Sequence, residues 1–193
     1  MLSPDGKAAA LQIRTFQADD IEANIDALAG IMQACVNGGA SIGYVPPFDR
    51  QDGETFWRQK VLPAVADGGR LLLVALAGDG IAGTVQLDHD TPPNQPHRAE
   101  VRKLLVHPAF RRQGIARALM AALESHARRL GRSLLTLDTR TGDSAEPLYA
   151  SLGYRTTGVI PGYCRDTATA RLDSTTIMYK HLDSGIPPAG GLG

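Results

Sequence analysis

The chain has 193 residues, with 20 Lys and Arg balancing 20 Asp and Glu, 5 His and 2 Cys. That balance gives no overall pull toward nucleic acid or anionic lipid. The longest apolar run, Leu71–Ala77, is far short of the about 20 residues a membrane span needs.

Two distant cysteines, Cys35 and Cys164, fit reduced thiols better than a disulfide framework. The histidines are scattered without ligand spacing, so no metal is expected. Met1–Ala10 lacks the basic-then-apolar pattern of a signal peptide, so a cytoplasmic location is expected. Residues 1–10 and the Gly/Pro-rich stretch 183–193 read as flexible tails around one domain at 11–182.

Leu11–Phe16 reads as a first strand. Asp19 or Asp20 can cap a helix running to Val36, ended by Asn37-Gly38-Gly39. After a loop with Pro46-Pro47, a shorter helix is expected from about Glu54 to Ala66. Arg70–Ala77 and Ile81–Asp88 form a hairpin across Gly78-Asp79-Gly80, and a polar loop leads to a strand at Arg98–Val106.

Ile115, Leu119, Leu123 and Ala127 recur at helical spacing, so a long helix is expected there, ended by Gly131. Ser133–Thr139 is a strand, and Ser144 is placed to cap a short helix reaching Leu152, with Pro147 in its first turn. Gly153–Ile160 and Thr175–Lys180 complete a mixed α/β sheet of about seven strands.

The informative segment is Val101–Leu119, where Arg111-Arg112-Gln113-Gly114-Ile115-Ala116 leads from a strand end directly into the long helix. A helix start presents backbone N–H groups without intrahelical partners, and the aligned peptide dipoles add positive potential. This makes an anion site, which small residues at Gly114 and Ala116 leave open to a diphosphate. The loop lacks the Gly-Lys-Ser/Thr ending of a triphosphate P-loop and the three spaced glycines of a dinucleotide fold. An ordinary Arg-rich loop before a helix is the alternative for these six residues alone.

The flanks narrow the choice. Leu104-Leu105-Val106, then Arg111-x-x-Gly114-x-Ala116, and downstream Leu148-Tyr149-x-x-x-Gly153-Tyr154, together resemble the GNAT acetyltransferase superfamily. Gly38–Tyr44, Ala99-Glu100-Val101-x-Lys103-Leu104, Leu137-Asp138-Thr139 and Pro161-Gly162-Tyr163-Cys164 further resemble the tabtoxin-resistance acetyltransferases, which acetylate an amino-acid-like toxin.

The resemblance implies a GNAT fold: a mostly antiparallel sheet of about seven strands, helices on both faces, and a V-shaped splay between strands 4 and 5. It implies acetyl-CoA as cosubstrate, held by Leu104, Leu105, Val106, Arg111, Arg112, Gln113, Gly114, Ile115, Ala116, Arg117, Ser144 and Tyr149. Tyr149 is then the general acid, and Asp138 or Glu100 the base or a counter-ion to the acceptor ammonium. For Asp138, which should be partly buried, a structural hydrogen bond is the alternative; for Ser144, helix capping alone. His107 reads as a turn residue. Neither cysteine sits in a nucleophile setting, so direct attack in a ternary complex is expected.

The acceptor is expected to be a small-molecule primary amine, such as an amino-acid-like toxin or antibiotic. Gly38–Phe48, Trp57 and Pro161–Arg165 are candidates for its pocket. An apolar face on the terminal strands would allow a homodimer. A non-catalytic acyl-CoA sensor and a protein N-acetyltransferase stand as alternatives.

Overall fold

The computed structural model describes residues 11–78 and 80–182. The tails expected at 1–10 and 183–193, and Asp79 of the expected hairpin turn, lie outside the described residues.

Among the described residues seven strands form one sheet, in the order β1-β2-β3-β4-β5-β7-β6. They are β1 (Gln12–Phe16), β2 (Arg70–Ala77), β3 (Gly80–Asp88), β4 (Arg98–Val106), β5 (Leu134–Arg140), β6 (Arg155–Arg165) and β7 (Leu172–His181). Only β4 and β5 pair in parallel, and the other neighbours are antiparallel.

The expected first helix is broken in two, α1 (Ala18–Ala23) and α2 (Ile25–Asn37). The break is Asn24, whose side-chain amide donates to the Asp20 carbonyl at 2.8 Å and offers the backbone an alternative to the helical ladder. Asp20 lies in the first turn rather than before it, and its carboxylate accepts the Gln17 N–H at 2.9 Å. The next helix, α3 (Arg50–Phe56), starts earlier than expected. Asp49 accepts the Asp52 N–H at 2.8 Å, and Asp52 accepts the Asp49 N–H at 3.1 Å. A π-turn at Trp57–Val61 then leads into α4 (Leu62–Ala66); Pro63 has no N–H with which to continue the α ladder.

Two cores flank the sheet. On one face α5 (Ile115–Arg129) and α6 (Ala145–Ser151) pack over Leu73, Ala75, Val85, Leu87, Leu135, Leu137 and Met178. On the other, α1–α4 pack over Phe16, Leu72, Val74 and Leu105. β2 therefore buries both its faces, which explains its unbroken apolar run. Gly83 lets α5 approach closely, because a Cβ there would lie 2.8 Å from the Leu105 carbonyl and 3.0 Å from Ile115 and Leu119.

The last two strands run longer than expected. β6 continues through Pro161-Gly162 because its register against β7 skips from Ile160↔Thr175 to Cys164↔Asp173, so the extra residues bulge out of the ladder.

Candidate active site

β4 and β5 pair only at Arg98↔Leu134, Ala99↔Leu135 and Glu100↔Thr136. Beyond that rung each strand keeps its other neighbour, β3 or β7, and the two part in a V. A bulge in β4 accompanies the parting. Thr84 faces Leu105 while Gln86 faces Arg102, so β4 spends one more residue than β3 over the same stretch. Lys103 takes φ 50° there. The extra residue inverts the alternation. Ala99 and Val101 belong to the α5-side core, Leu105 belongs to the α2-side core, and Leu104 and Val106 pack again on the α5 side. The apolar triplet is thus built into both cores at the edge of the cleft.

From β4 the chain turns through Pro108–Phe110. His107 accepts the Ala109 N–H on its Nδ1 at 3.2 Å, the turn role expected of it. Arg112 and Gly114 then adopt φ 64° and 79° on either side of Gln113. Among the described residues, the backbone amides of Arg112, Gln113, Gly114, Ile115, Ala116 and Arg117 donate to no protein acceptor. Ala118 makes the first bond of the helix, to Gly114. The first turn of α5 holds no acidic residue. A Cβ on Gly114 would meet nothing within 4 Å, so the glycine is needed for its left-handed backbone and the space beside it is open. A row of unpaired donors at a helix start, with cationic Arg111 and Arg112 exposed beside it, fits a diphosphate.

The side chains in this row are placed differently from one another. Ile115 is buried in the core, leaving only its backbone to the loop. Arg117 donates to the Ser151 hydroxyl at 2.8 Å, joining α5 to α6. Cys35 lies beneath, donating to the Val106 carbonyl at 3.5 Å. Burial pushes its thiol up, opposed by the Arg111 charge, as suits an inert core thiol.

Tyr149 sits on α6, 7 % exposed, with its ring edge-on to Tyr154 at 5.8 Å. Its hydroxyl makes no hydrogen bond among the described residues, and burial, reinforced by Asp138 and Asp143, holds its pKa well above the ordinary phenol value. It is therefore a protonated donor at neutral pH. Ser144 does not cap α6. Its N–H and hydroxyl both donate to the Asp143 carboxylate, at 2.6 and 3.3 Å, while Glu146 accepts the Gly142 N–H at 2.7 Å. The two neighbouring acids serve the turn, and exposed Ser144 has no capping role.

Asp138 is exposed, not partly buried as expected. Leu135 and Leu137 alternate into the α5-side core, which turns Asp138 to the opposite face. The α1–α4 core on that face includes no residue of β5, β6 or β7. Asp138 accepts from the Thr175 hydroxyl at 3.2 Å, and Glu100 from Arg102 Nε at 3.0 Å. Both carboxylates line one cavity of about 210 Å³, with Thr136, Leu137, Tyr163 and Ile177.

Tyr163, carried by the β6 bulge, lies within the stretch expected at the acceptor pocket; Thr136 and Ile177 were missed, since only strand register brings them to it. Trp57 is no pocket residue. It is fully buried and donates to the Leu28 carbonyl at 2.8 Å. The 39–44 loop does reach the cleft, where Ile42 accepts from Lys103 Nζ at 2.8 Å and Ser41 lies 3.7 Å from Cys164. A second cavity, of about 270 Å³, lies at the far end of α5, around His126 and Arg129, away from these groups.

The acetyltransferase (GNAT) family model matches residues 40–154, more than half of the chain. The chain belongs to this family. It is an acetyl-CoA-dependent N-acetyltransferase of GNAT type. An uncharacterised N-acetyltransferase of Azospirillum brasilense is 32 % identical over 139 residues, 70 % of this chain and 77 % of that protein. The structure of yncA from Salmonella typhimurium, with its cofactor acetyl-CoA, has a TM-score of 0.73 and 22 % identity, covering 95 % of this chain and all of that one. A GCN5-related N-acetyltransferase from Kribbella flavida has a TM-score of 0.71 and 24 % identity, over 93 % of this chain and all of that one. Among the described residues no helix of this acetyltransferase is long and apolar enough to cross a membrane.

Proposed function

We propose that this GNAT enzyme transfers an acetyl group from acetyl-CoA to the primary amine of a small molecule, by direct attack within a ternary complex. The observation that carries the reading is the run of unpartnered amides from Arg112 to Arg117, opening beside a cleft where two strands part. These amides, with the charges of Arg111 and Arg112, hold the diphosphate. The backbone of Leu104, Leu105 and Val106 takes the amide-bearing arm as an added strand, with the Leu105 N–H as donor to the thioester oxygen. Ser144, exposed and free of a capping duty, is a further contact to that arm.

Asp138 accepts the amine proton, directly or through water, and Glu100 stands beside it as counter-ion in the same cavity. Tyr149, a phenol that is protonated at neutral pH, gives its proton to the departing sulfur. Holding amine and thioester together supplies the largest part of the rate, about 7–11 kcal/mol in favourable cases. Cys35 is too buried to act as a nucleophile, which supports direct attack.

An amino-acid-like toxin or antibiotic is the acceptor we favour, from the likeness of Gly38–Tyr44, Ala99–Leu104, Leu137–Thr139 and Pro161–Cys164 to tabtoxin-resistance enzymes. We place the enzyme in the cytoplasm, with residues 11–182 as its catalytic domain. A homodimer through the exposed β6 strand, with Val159 and Ile160 on its surface, fits the same picture.

Incubation of the purified protein with acetyl-CoA and a panel of small amines, following free thiol, tests the reading. Amine-dependent thiol release is expected. Tight CoA binding without turnover of any amine would leave a sensor in its place.

A further inference from the structure

The cavity at the far end of α5 takes no part in the chemistry above. It holds about 270 Å³, more than the one at Glu100 and Asp138. β2 gives its wall Arg70 and Leu71, and the end of β3 gives it His89. α5 gives it His126 and Arg129, with Leu130 at the helix end. These last three fall at i, i+3 and i+4, so they share one face of the helix. Among the described residues no carboxylate lines the cavity.

Its donors lack acceptors. Arg128 pairs with Glu124, but among the described residues its neighbour Arg129 enters no hydrogen bond or ion pair. His89 and His126 are tied there only through their backbones. Arg70 is committed through its terminal nitrogens to Asp88, Gln86 and the Lys60 carbonyl, yet its buried Nε has no partner. Burial lowers the pKa of both imidazoles. Arg132 adds to the effect at His89 and Arg129 at His126, while Asp88 and Asp90 oppose it at His89. At pH 7.5 each ring is therefore chiefly neutral, with one N–H to donate.

Peptide dipoles favour cations near a helix C-terminus, and that alone would account for His126 and Arg129 as parts of α5. It does not account for the hollow between them and the sheet, or for the donors that His89 and Arg70 bring to it.

We infer that this cavity is a second ligand site, for a small organic monocarboxylate with an apolar body. The carboxylate takes donors from Arg129, His126 and His89, and the body rests on Leu71 and Leu130. Leu130 is 44 % exposed, a surface leucine that such a body would cover. The site balances one negative charge. Asp88 already neutralises Arg70 at 2.6 Å, and Arg132 and Asp90 act on His89 with opposite signs, which leaves Arg129. A phosphate dianion would lack its second counter-charge. The site is separate from the one for acetyl transfer, since His126 lies roughly 18 Å along α5 from Gly114. It stands or falls independently of the acetyltransferase reading.

Calorimetry on the full chain, with and without saturating CoA, tests this with three matched pairs: benzoate and benzamide, phenylacetate and phenylacetamide, 4-methylpentanoate and its amide. At least one acid should bind with a Kd below about 1 mM and about tenfold or more tighter than its amide. CoA should leave that affinity within about twofold. Arg129→Gln should weaken the acid about tenfold or more, and His126→Asn severalfold, with thermal melts unchanged because both side chains lack protein partners. Tyr163→Ala, in the cavity at Glu100 and Asp138, should leave the acid's affinity within about twofold.

No binding of any acid, acids that bind no tighter than their amides, or an affinity that survives Arg129→Gln or His126→Asn overturns the inference. So does loss of binding in Tyr163→Ala or displacement by CoA, either of which would put the acid in the acetyl-transfer site. Phenyl phosphate and inorganic phosphate are run alongside, and tighter binding of either overturns the monocarboxylate assignment.

Discussion

Glu100 and Thr136 face each other on the last rung joining β4 to β5. One step further the strands diverge, so Glu100 closes the apex of the cleft while Asp138, two residues beyond Thr136, stands on its open side. Both acids line the same cavity because they lie on the same face of adjoining strands.

The amide row gives the first prediction. Gly114→Ala places a methyl where no protein atom lies within 4 Å, at φ 79°. The fold should lose only about 1–2 kcal/mol from backbone strain, measured by denaturant melting. Calorimetry should show CoA binding weakened at least tenfold, corresponding to about 1.4 kcal/mol, because the methyl enters the space the diphosphate needs.

Tyr149→Phe removes a hydroxyl that has no protein hydrogen-bond partner. Stability should change by less than about 1 kcal/mol, and CoA affinity should hold. Steady-state kcat should fall about 10²–10⁴-fold. An unchanged kcat would exclude Tyr149 as the acid.

The two carboxylates should separate by substitution. Asp138→Asn should lower kcat by about 10²-fold or more if it is the base. Glu100→Gln should act mainly on the acceptor KM, with kcat within about tenfold, as expected for a counter-ion. The reverse pattern in steady-state kinetics would exchange their roles.

Stability should decline in alkali. Tyr149 and Tyr154 are both buried, and burial raises both phenols above their ordinary values, with Glu124 adding to the effect on Tyr154. Below pH about 10 the folded and unfolded chains hold these protons alike. Above it the unfolded chain releases them first, so the folded state is disfavoured as pH rises, by up to about 1.4 kcal/mol per pH unit for each phenol. Denaturant melts from pH 8 to 11 should show this slope, and Tyr154→Phe should reduce it.

Lys180 joins three elements. Its Nζ donates to both Glu124 oxygens at 2.8 and 2.7 Å and to the Leu152 carbonyl at 2.7 Å, holding β7, α5 and the end of α6 together. Glu124 is 7 % exposed. Lys180→Met should cost about 3 kcal/mol by leaving that carboxylate only Arg128, at 3.7 Å, as a partner, and Glu124→Leu in the same chain should recover much of it. Thermal denaturation of the three variants decides this.

Much of the fold was legible because it is written in local periodicities. The apolar spacing of Ile115, Leu119, Leu123 and Ala127 gave α5, and the turn residues around the β2–β3 hairpin bounded its strands. The break at Asn24 was not legible, because the competing bond from its side chain to Asp20 appears only once the helix has formed. Pro161-Gly162 looked like a strand end, yet pairing with β7 carries β6 past it.

The sequence by itself determined the loop that opens α5, since a strand end, a helix start and flanking arginines are properties of a few consecutive residues. It also named Tyr149, Glu100 and Asp138 through their motifs. Only the tertiary structure decided that the two acids share a cavity with Tyr163, that Asp138 faces solvent, that Trp57 is core, and that His89, His126 and Arg129 line a second cavity. Those facts depend on register and on where the helical layer stops, and neither is encoded within any single stretch of chain.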